Sequence, residues 1–308
     1  MTRTHRLAAL AGAAISLAFA GAAHAASDIT VNDTLAYPES ISMAADGAMI
    51  MGSSNKPVIY RAAPGATSAE PWIHIKDGAT TLGILADSKS NTLYACQIES
   101  TTSTPPGRKS TLLTFDLKTG KPKASYPLDG AVNLCNDVVI GKGGVAYISD
   151  TVNGSIVRLK PGGQLETWLK DPALAGIDGI TTVKGELYAN SVTQSTIVRV
   201  PMNADGSAGT PVVLTLSQPV GRPDGMRAQN GRLFVAENAA GKVSELKLEP
   251  GDKATVVVLK DGYITPTAVE PIGDTLWVGE AKMAYKNDPK LKGQDPGQFK
   301  AYALPIPK

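Results

Sequence analysis

In the stretch Asn230-Gly231-Arg232-Leu233-Phe234-Val235, two turn-forming residues come directly before a short apolar strand. The same pattern occurs six times, with its first apolar strand residue at Met49, Leu93, Val145, Leu187, Leu233 and Leu276. Successive copies are separated by 44, 52, 42, 46 and 43 residues. Most copies are followed by a third apolar segment, such as residues 156–159, and by a weaker fourth, such as residues 166–169. Repeats of about 45 residues with four strands each are typical of a β-propeller, in which every repeat forms one radial sheet.

These repeats predict an all-β fold, a six-bladed β-propeller of four-stranded blades, formed as a single domain by residues 26–308. The 31 Gly and 21 Pro residues are spread along the chain, so they mark turns between strands. The longest interval contains a polar insertion with Pro and Gly at residues 100–110, which we interpret as a loop. We expect the ring to close by pairing of residues 301–304 with a strand around residues 29–31.

The beginning of the chain has the pattern of an export signal. Arg3 and Arg6 precede an uncharged apolar stretch, residues 7–23, and Ala23-His24-Ala25 matches the small-x-small pattern that signal peptidase accepts. The alternative, a membrane anchor, needs about 20 strongly apolar residues, whereas this stretch is rich in Ala and Gly. We therefore interpret residues 1–25 as a cleaved signal peptide and expect a periplasmic or secreted protein without a membrane anchor.

The charge balance limits the class of partner. The chain has 30 basic and 28 acidic side chains, and two of the basic ones, Arg3 and Arg6, leave with the predicted signal. The remaining chain has 28 of each and no long basic run, which argues against nucleic acid or an anionic membrane as the main partner. We expect a monomer that acts on a small molecule.

Cysteine and histidine content limit the chemistry. Cys96 and Cys135 are the only cysteines, and the sequence leaves open whether they form a disulfide or two buried thiols. His74 is the only histidine after the predicted signal. This excludes a metal site built on two or three imidazoles, and it leaves a Ser-His-Asp hydrolase a single candidate base. Catalysis is expected to depend on carboxylates and other oxygen ligands.

Acidic and amide side chains recur at one position of the repeat. Nine residues before the first apolar strand residue, the third, fourth and fifth repeats have Asn136, Asp178 and Asp224. Glu39 takes the corresponding place in the first repeat, whereas the second and sixth repeats have Ile84 and Thr267. The innermost strands of a propeller line its channel, so side chains at equivalent positions converge on the axis.

Three carboxylates held together away from water repel one another, and a divalent cation is the simplest way to neutralise them. Carboxylate and amide oxygens favour Ca²⁺, Mg²⁺ or Mn²⁺, and Zn²⁺ is a less suited option without imidazole or thiolate ligands. Taken singly, Asp178-Gly179 and Asp224-Gly225 are also ordinary turn-forming pairs. The shared offset in separate repeats favours the metal site over that alternative.

Three short motifs resemble those of the SMP-30/gluconolactonase family of regucalcin-like lactonases. They are Arg222-Pro223-Asp224-Gly225-Met226 with the following residues 230–236, Tyr37-Pro38-Glu39-Ser40, and Cys135-Asn136-Asp137. The resemblance implies a metal held by Glu39, Asp178 and Asp224, with Asn136 in contact with substrate or a metal-bound water. Two positions depart from the family pattern: Asp178 stands where Asn is usual, and Ser40 where Gly is common.

The resemblance implies a metal-dependent hydrolase that opens a sugar lactone or a similar small lactone. The cation would polarise the lactone carbonyl as a Lewis acid, and Asp224 would be the catalytic general base. Asn136, Asn190 and Arg222 are predicted to bind the substrate, with a loop cap as the alternative for Asn190 and a solvated rim for Arg222. The same alternatives apply to Asp150, Glu237, Asn238 and Arg227.

Two other functions remain open. The chain could be a non-catalytic propeller of the cell envelope that binds a ligand or a protein, since propellers host many functions. It could also be a strictosidine-synthase-like or lyase-type propeller enzyme, which would depend on a single Glu or His. The coincident offsets of four polar residues favour the lactonase interpretation over the lyase.

Overall fold

The computed structural model describes residue 1, residues 26–101 and residues 107–308. The predicted signal peptide therefore lies outside the described residues, except for Met1. In the described part of the chain the fold is all-β, with 25 strands, one α-helical turn and two 3₁₀ turns. No helix in this part is long and apolar enough to span a membrane.

The strands are short and follow the predicted turn-and-strand pattern. The first nine are β1 (Ile29–Val31), β2 (Ile41–Met43), β3 (Met49–Met51), β4 (Val58–Ala62), β5 (Ser68–His74), β6 (Thr80–Asp87), β7 (Thr92–Thr101), β8 (Gly107–Asp116) and β9 (Pro122–Pro127). The next eight are β10 (Cys135–Ile140), β11 (Ala146–Asp150), β12 (Ser155–Leu159), β13 (Leu165–Lys170), β14 (Ile177–Val183), β15 (Glu186–Ser191), β16 (Thr196–Val200) and β17 (Val212–Val213). The last group is β18 (Thr215–Leu216), β19 (Pro223–Gln229), β20 (Arg232–Glu237), β21 (Lys242–Glu249), β22 (Lys253–Lys260), β23 (Pro266–Ile272), β24 (Thr275–Glu280), the helical turn α1 (Ala284–Asn287) and β25 (Lys300–Pro305).

Most sheets have four strands. β6–β9, β10–β13 and β14–β17 form three such sheets in chain order, and β19–β22 form a fourth, with β18 added in parallel at its outer edge. The other eight strands form one sheet in the order β2-β3-β4-β5-β1-β25-β24-β23. This sheet has two four-stranded antiparallel halves, which are joined by parallel pairing of β1 with β5.

β1 ties the end of the described chain to its beginning. Ile29 pairs with Ala301 and Thr30 with Lys300 in antiparallel fashion, and Thr30 also pairs with Ser68 of β5. The predicted closure between these two segments is thus confirmed, and β1 is the outermost strand of the half that contains β23–β25.

The insertion in the second repeat is largely a hairpin. β7 and β8 have ten residues each and pair as far as Thr101 and Gly107. The prediction of a loop across residues 100–110 is therefore wrong at both ends, where Ser100 and Thr101 extend β7 and residues 107–110 begin β8; residues 102–106 lie outside the described part. Polar β-branched residues are well tolerated in exposed strands, so a polar composition did not exclude pairing.

Cys96 of β7 and Cys135 of β10 form a disulfide, with Cα atoms 5.3 Å apart. Of the two alternatives that the sequence left open, the bridge is the one present. It ties the second sheet to the first residue of β10, which is the strand that carries Asn136.

The first strands of the sheets and half-sheets, β2, β6, β10, β14, β19 and β23, are here called the inner strands. Each contacts the next in this order, and β23 contacts β2, so the inner strands form a closed ring. Apolar side chains fill the spaces between neighbouring sheets; Ile156, for example, belongs to one buried cluster with Leu187 and Val198. The sheets therefore pack face to face around the ring.

Candidate functional site

Three of the predicted site residues lie at interruptions of the inner strands, and Glu39 lies two residues before β2. The pairing register shifts between Ile177 and Ile180 in β14 and between Pro223 and Met226 in β19, so Asp178 and Asp224 lie in β-bulges. β10 has the same shift between Cys135 and Val138, around Asn136. A bulge breaks the alternation of side chains along a strand and re-aims one of them. The repeat of this bulge is what directs side chains from several sheets to one place.

The glycine after each aspartate serves close packing of the inner strands. A Cβ atom on Gly179 would lie 2.4 Å from the carbonyl oxygen of Asp224, and one on Gly225 would lie 2.4 Å from that of Thr267. Both glycines lie inside strands, β14 and β19. The alternative interpretation of these Asp-Gly pairs as turn formers is therefore wrong, since the glycine lets the neighbouring inner strand approach.

One cavity inside the ring collects the predicted acids. Its volume is about 10 Å³, close to that of one water-sized sphere. Its lining includes Glu39, Asn136, Asp178 and Asp224. The three acids come from three different sheets or half-sheets and are only 7–8% exposed. Side chains far apart in the sequence are thus brought to one buried point.

The three acids, Glu39, Asp178 and Asp224, are here called the unpaired acids. Burial, and then the negative charges of Asp224 and Asp178, raises the pKa of Glu39 well above its usual range. Burial and the charge of Asp224 raise the pKa of Asp178 in the same way. Burial raises the pKa of Asp224 to about 7, although hydrogen bonds from Asn238 and from the Gly225 amide oppose the shift.

Hydrogen bonding does not satisfy these acids equally. Asp178 and Asp224 are close enough for the charge of Asp224 to raise the pKa of Asp178. Asp178 Oδ2 accepts a hydrogen bond of 2.8 Å from Asn136 Nδ2, and Asp224 Oδ2 accepts one of 2.9 Å from Asn238 Nδ2. In the described part of the chain, no hydrogen bond to the Glu39 carboxylate is present. A buried acid without a partner is costly unless a ligand compensates it.

The donor chemistry fits a hard divalent cation, because the acids and the Asn136 amide offer only oxygen ligands in a cavity of single-sphere size. Among the described residues, no three His, Cys, Asp or Glu side chains have the geometry of a formed metal site. A cation that bound there would have to displace the protons that the raised pKa values of Glu39 and Asp178 favour.

A second buried group lies next to the unpaired acids and is here called the ion-paired triad: Asp137, Arg227 and Glu270. Arg227 donates two hydrogen bonds to the Asp137 carboxylate, at 2.6 and 2.8 Å, and its Nε lies 3.6 Å from Glu270. Asp137 and Glu270 further raise the already high pKa of Arg227. Arg227 thus bridges two acids and is buried, so the solvated-rim alternative is wrong for it; its side chain lines the cavity, and its contact with a substrate stays a prediction.

Two of the predicted substrate ligands lie away from the cavity. Asn190 is 1% exposed, and its amide donates to the Asp224 carbonyl at 2.5 Å and accepts from the Gly179 amide at 3.2 Å. Its polar atoms therefore join β14 to β19. Arg222 is exposed and lines neither the cavity nor the basin described below, so its contact with a substrate stays a prediction.

Other residues at the ends of second strands cap loops. Asp150 accepts from the Leu134 amide at 3.0 Å, and Glu237 accepts from the Gly221 amide at 2.7 Å. Glu280 accepts from the Ile264 amide at 2.6 Å in the same relation, 16 residues back. The loop-cap alternative is thus confirmed for Asp150 and Glu237, whereas Asn238, one residue further on, reaches Asp224.

Sequence reasoning missed one polar group of the cavity and misplaced one apolar group. The Thr267 hydroxyl is buried without a hydrogen-bond partner in the described residues, and Thr267 lines the cavity. Thr267 does lie nine residues before the first apolar strand residue of its repeat, but it was not counted as a site residue because its side chain is not a carboxylate or an amide. In the second sheet the bulge falls between Thr81 and Ile84, so Leu82, and not Ile84, takes the equivalent place.

The cavity opens into a larger basin of about 390 Å³. Glu39, Asp224 and Thr267 line both spaces, so the acids form the floor of the basin. Its other lining residues include Ser54, Ile98, Arg108, Asn238, Met283 and Lys286. This volume suits a small ligand that contacts the acids from one side.

Comparison with solved structures gives the fold. The major allergen of Malassezia sympodialis superposes with a TM-score of 0.69 at 15% identity, over 90% of this chain and 96% of that one. A protein provisionally named as a gluconolactonase gives 0.64 at 18% identity, over 93% and 96%. Virginiamycin B lyase from Staphylococcus aureus gives 0.61 at 13% identity, over 90% and 98%. At such low identity these likenesses establish only a propeller-like all-β fold.

No curated protein matches the sequence. A family model does: the SMP-30/Gluconolactonase/LRE-like region matches residues 29–282, which include every one of the unpaired acids and the whole ion-paired triad. The chain therefore belongs to the SMP-30/gluconolactonase/LRE-like family.

Proposed function

We propose that this protein is a metal-dependent hydrolase that opens a sugar lactone or a similar small lactone. The observation that carries the proposal is the convergence of Glu39, Asp178 and Asp224, from three sheets, in one buried cavity at the floor of an open basin. Membership of a family that includes gluconolactonases, together with one solved neighbour of that name, supports the same class of reaction.

The proposed architecture is a six-bladed β-propeller. Its support is the closed ring of six inner strands and the division of the eight-stranded sheet into two four-stranded halves. In this arrangement the site lies on the propeller axis, where the bulges of the inner strands face one another. The predicted export to the periplasm or medium, and a monomeric state, belong to the same proposal.

In the proposed site, Glu39, Asp178 and Asp224 hold one divalent cation, with Ca²⁺, Mg²⁺ or Mn²⁺ favoured over Zn²⁺ by the all-oxygen donor set. Such a cation supplies Lewis-acid polarisation of the lactone carbonyl. The Asn136 amide nitrogen donates to Thr151 at 3.0 Å and to Asp178 at 2.8 Å, and Asn136 lines the cavity, where we propose that it contacts the substrate.

Asp224 is the proposed general base. In the metal-free protein, burial raises its pKa to about 7, so this carboxylate takes up a proton more readily than an exposed aspartate does. Asn238 donates to its Oδ2 and the Gly225 amide donates to its Oδ1, so the carboxylate has a fixed orientation. Hydrolysis then adds water to the carbonyl carbon, breaks the bond to the ring oxygen, and returns the proton to that oxygen.

The test combines metal analysis with a lactone panel. The purified protein is stripped with EDTA, reloaded separately with each of the four cations, and assayed by pH-stat with γ- and δ-lactones of aldonic acids. The proposal predicts turnover only in loaded samples and about one bound cation per chain. Tight metal binding with no turnover of any lactone or ester would favour the non-catalytic binding propeller.

A further inference from the structure

The wall of the basin has two cations without an acidic partner. Arg108 lies near the start of β8 and Lys286 in α1, and both line the basin whose floor is formed by Glu39 and Asp224. Among the described residues, no Asp or Glu lies within ion-pair distance of either side chain. Most other arginines near the sheets have such a partner, as Arg199 has in Glu186 and Asp252.

Lys286 is held in a fixed position at this wall. Its Nζ donates to the Ser54 carbonyl at 2.9 Å and lies 5.2 Å from the centre of the Tyr37 ring. Burial lowers the pKa of Lys286, and the positive charge of Arg108 lowers it further. Two cations that are close enough to repel each other, one of them partly desolvated, form a place where an anion is stabilised.

We propose that the substrate is a lactone with an anionic group, a carboxylate or a phosphate, which Arg108 and Lys286 bind while the lactone ring reaches Glu39 and Asp224. The proposal rests on the lactonase function above and gives its substrate class. The basin fits such a ligand because its charge is divided, with acids at the floor and cations at the wall. This division orients the ligand, since its anionic end is repelled by the acids and attracted by the cations.

The test compares three lactones: neutral D-glucono-1,5-lactone, D-glucaro-1,4-lactone with a carboxylate, and 6-phospho-D-glucono-1,5-lactone. For the wild type, kcat/KM is expected to be highest for one of the anionic lactones, and which one identifies the anionic group. Lys286→Met and Arg108→Met are each expected to lower that value about tenfold, as for loss of one charge-assisted hydrogen bond, and to leave the neutral lactone within about twofold. Lys260→Met is the matched control, because Lys260 also lies over a tyrosine ring, at 5.4 Å, but outside the basin.

Equal changes for all three lactones, or none, would overturn the anionic substrate and leave the lactonase function intact. If no lactone is turned over, the lactonase function fails, and calorimetry with inorganic phosphate and with D-glucarate decides the remaining question. Binding to the wild type that is lost in Lys286→Met but kept in Lys260→Met supports the anion site. Absence of binding by both probes overturns it.

Discussion

The unpaired acids and the ion-paired triad both belong to the ring of inner strands, share only β19, and are buried to a similar degree, yet they differ in charge compensation. In the triad, Arg227 makes two short hydrogen bonds to Asp137 and lies near Glu270. Three residues earlier in β19, Asp224 lines one cavity with Asp178 and Glu39, and no Lys or Arg of the described chain forms an ion pair with any of them. The acids of the triad thus have a cation in direct contact, whereas among the unpaired acids only Glu39 is affected by the more distant charge of Arg227.

This difference in charge compensation distinguishes a group with a structural role, the ion-paired triad, from a candidate functional group, the unpaired acids. A buried ion pair holds strands together and needs no ligand for its charges, although Arg227 Nε itself has no hydrogen-bond partner among the described residues. The unpaired acids differ, because burial raises the pKa of all three and neighbouring acids raise those of Glu39 and Asp178 further, so an added positive charge would favour their ionised form. The following predictions change one group at a time.

The largest effect is expected from loss of Asp224. Asp224→Ala should lower kcat/KM for the best lactone by about 10²–10⁴-fold, the usual contribution of a general base, while circular dichroism stays unchanged. The exposed Asp261→Ala is the control and should remain within about twofold. Activity retained in Asp224→Ala would show that the unpaired acids are not the catalytic group.

Loss of the arginine should act on stability instead. Arg227→Met leaves Asp137 and Glu270 buried without a cation, at a cost of about 3–5 kcal/mol and a fall in Tm of about 10 °C. Arg227→Lys keeps the charge but not the double hydrogen bond, so it should lose less. Thermal melts of these variants beside the exposed Arg222→Met measure the difference; a Tm within about 2 °C of wild type in Arg227→Met contradicts the structural role.

The fold was predictable because its signal is repeated. Six copies of a turn followed by an apolar strand identify the sheets, and the positions of Leu187 and Leu233 in β15 and β20 agree with the prediction. The extended hairpin of β7 and β8 was missed because its polar residues carry no apolar alternation. The pairing of Thr101 with Gly107 depends on tertiary context, which no local pattern reports.

The site was predictable only where the residue type and the offset agreed. Glu39, Asp178 and Asp224 satisfy both conditions and share the cavity. Asn190 and Arg227 have suitable side chains, but their partners come from other inner strands, and sequence does not show that Asp137 lies beside Arg227. Asp150 and Glu237 each accept a hydrogen bond from the backbone amide 16 residues earlier. Because this spacing repeats, the sequence could have indicated that both side chains have a structural role.

The third prediction concerns how the stability of the metal-free protein depends on pH, which tests the raised pKa of Asp224 among the unpaired acids. The pKa of Asp224 is about 7 in the folded protein and well below that in the unfolded chain. Between about pH 4 and 7, Asp224 is therefore protonated in the folded state and ionised in the unfolded state, so unfolding releases a proton. The stability of the metal-free protein should therefore fall as pH rises through this range, by about 2 kcal/mol from pH 5 to 7. Melts in EDTA should show a Tm that falls with pH, and a smaller slope in Asp224→Asn. A Tm that rises equally in both proteins would contradict the raised pKa.

The smallest effect concerns the charge at position 178. Asp178→Asn removes one of the unpaired charges but keeps the hydrogen bond from Asn136, because the new amide oxygen can still accept it. At pH 8 in EDTA the variant should be more stable by about 1 kcal/mol, or 2–4 °C in Tm, because fewer buried acids must ionise. Its affinity for Ca²⁺, measured by calorimetry, should fall, because a ligand charge is lost.

The exposed Asp205→Asn is the control and should change neither the metal-free Tm nor the affinity for Ca²⁺. A lower metal-free Tm in Asp178→Asn would mean that Asp178 stabilises the folded protein more than its charge destabilises it, and the contrast with the ion-paired triad would then not hold.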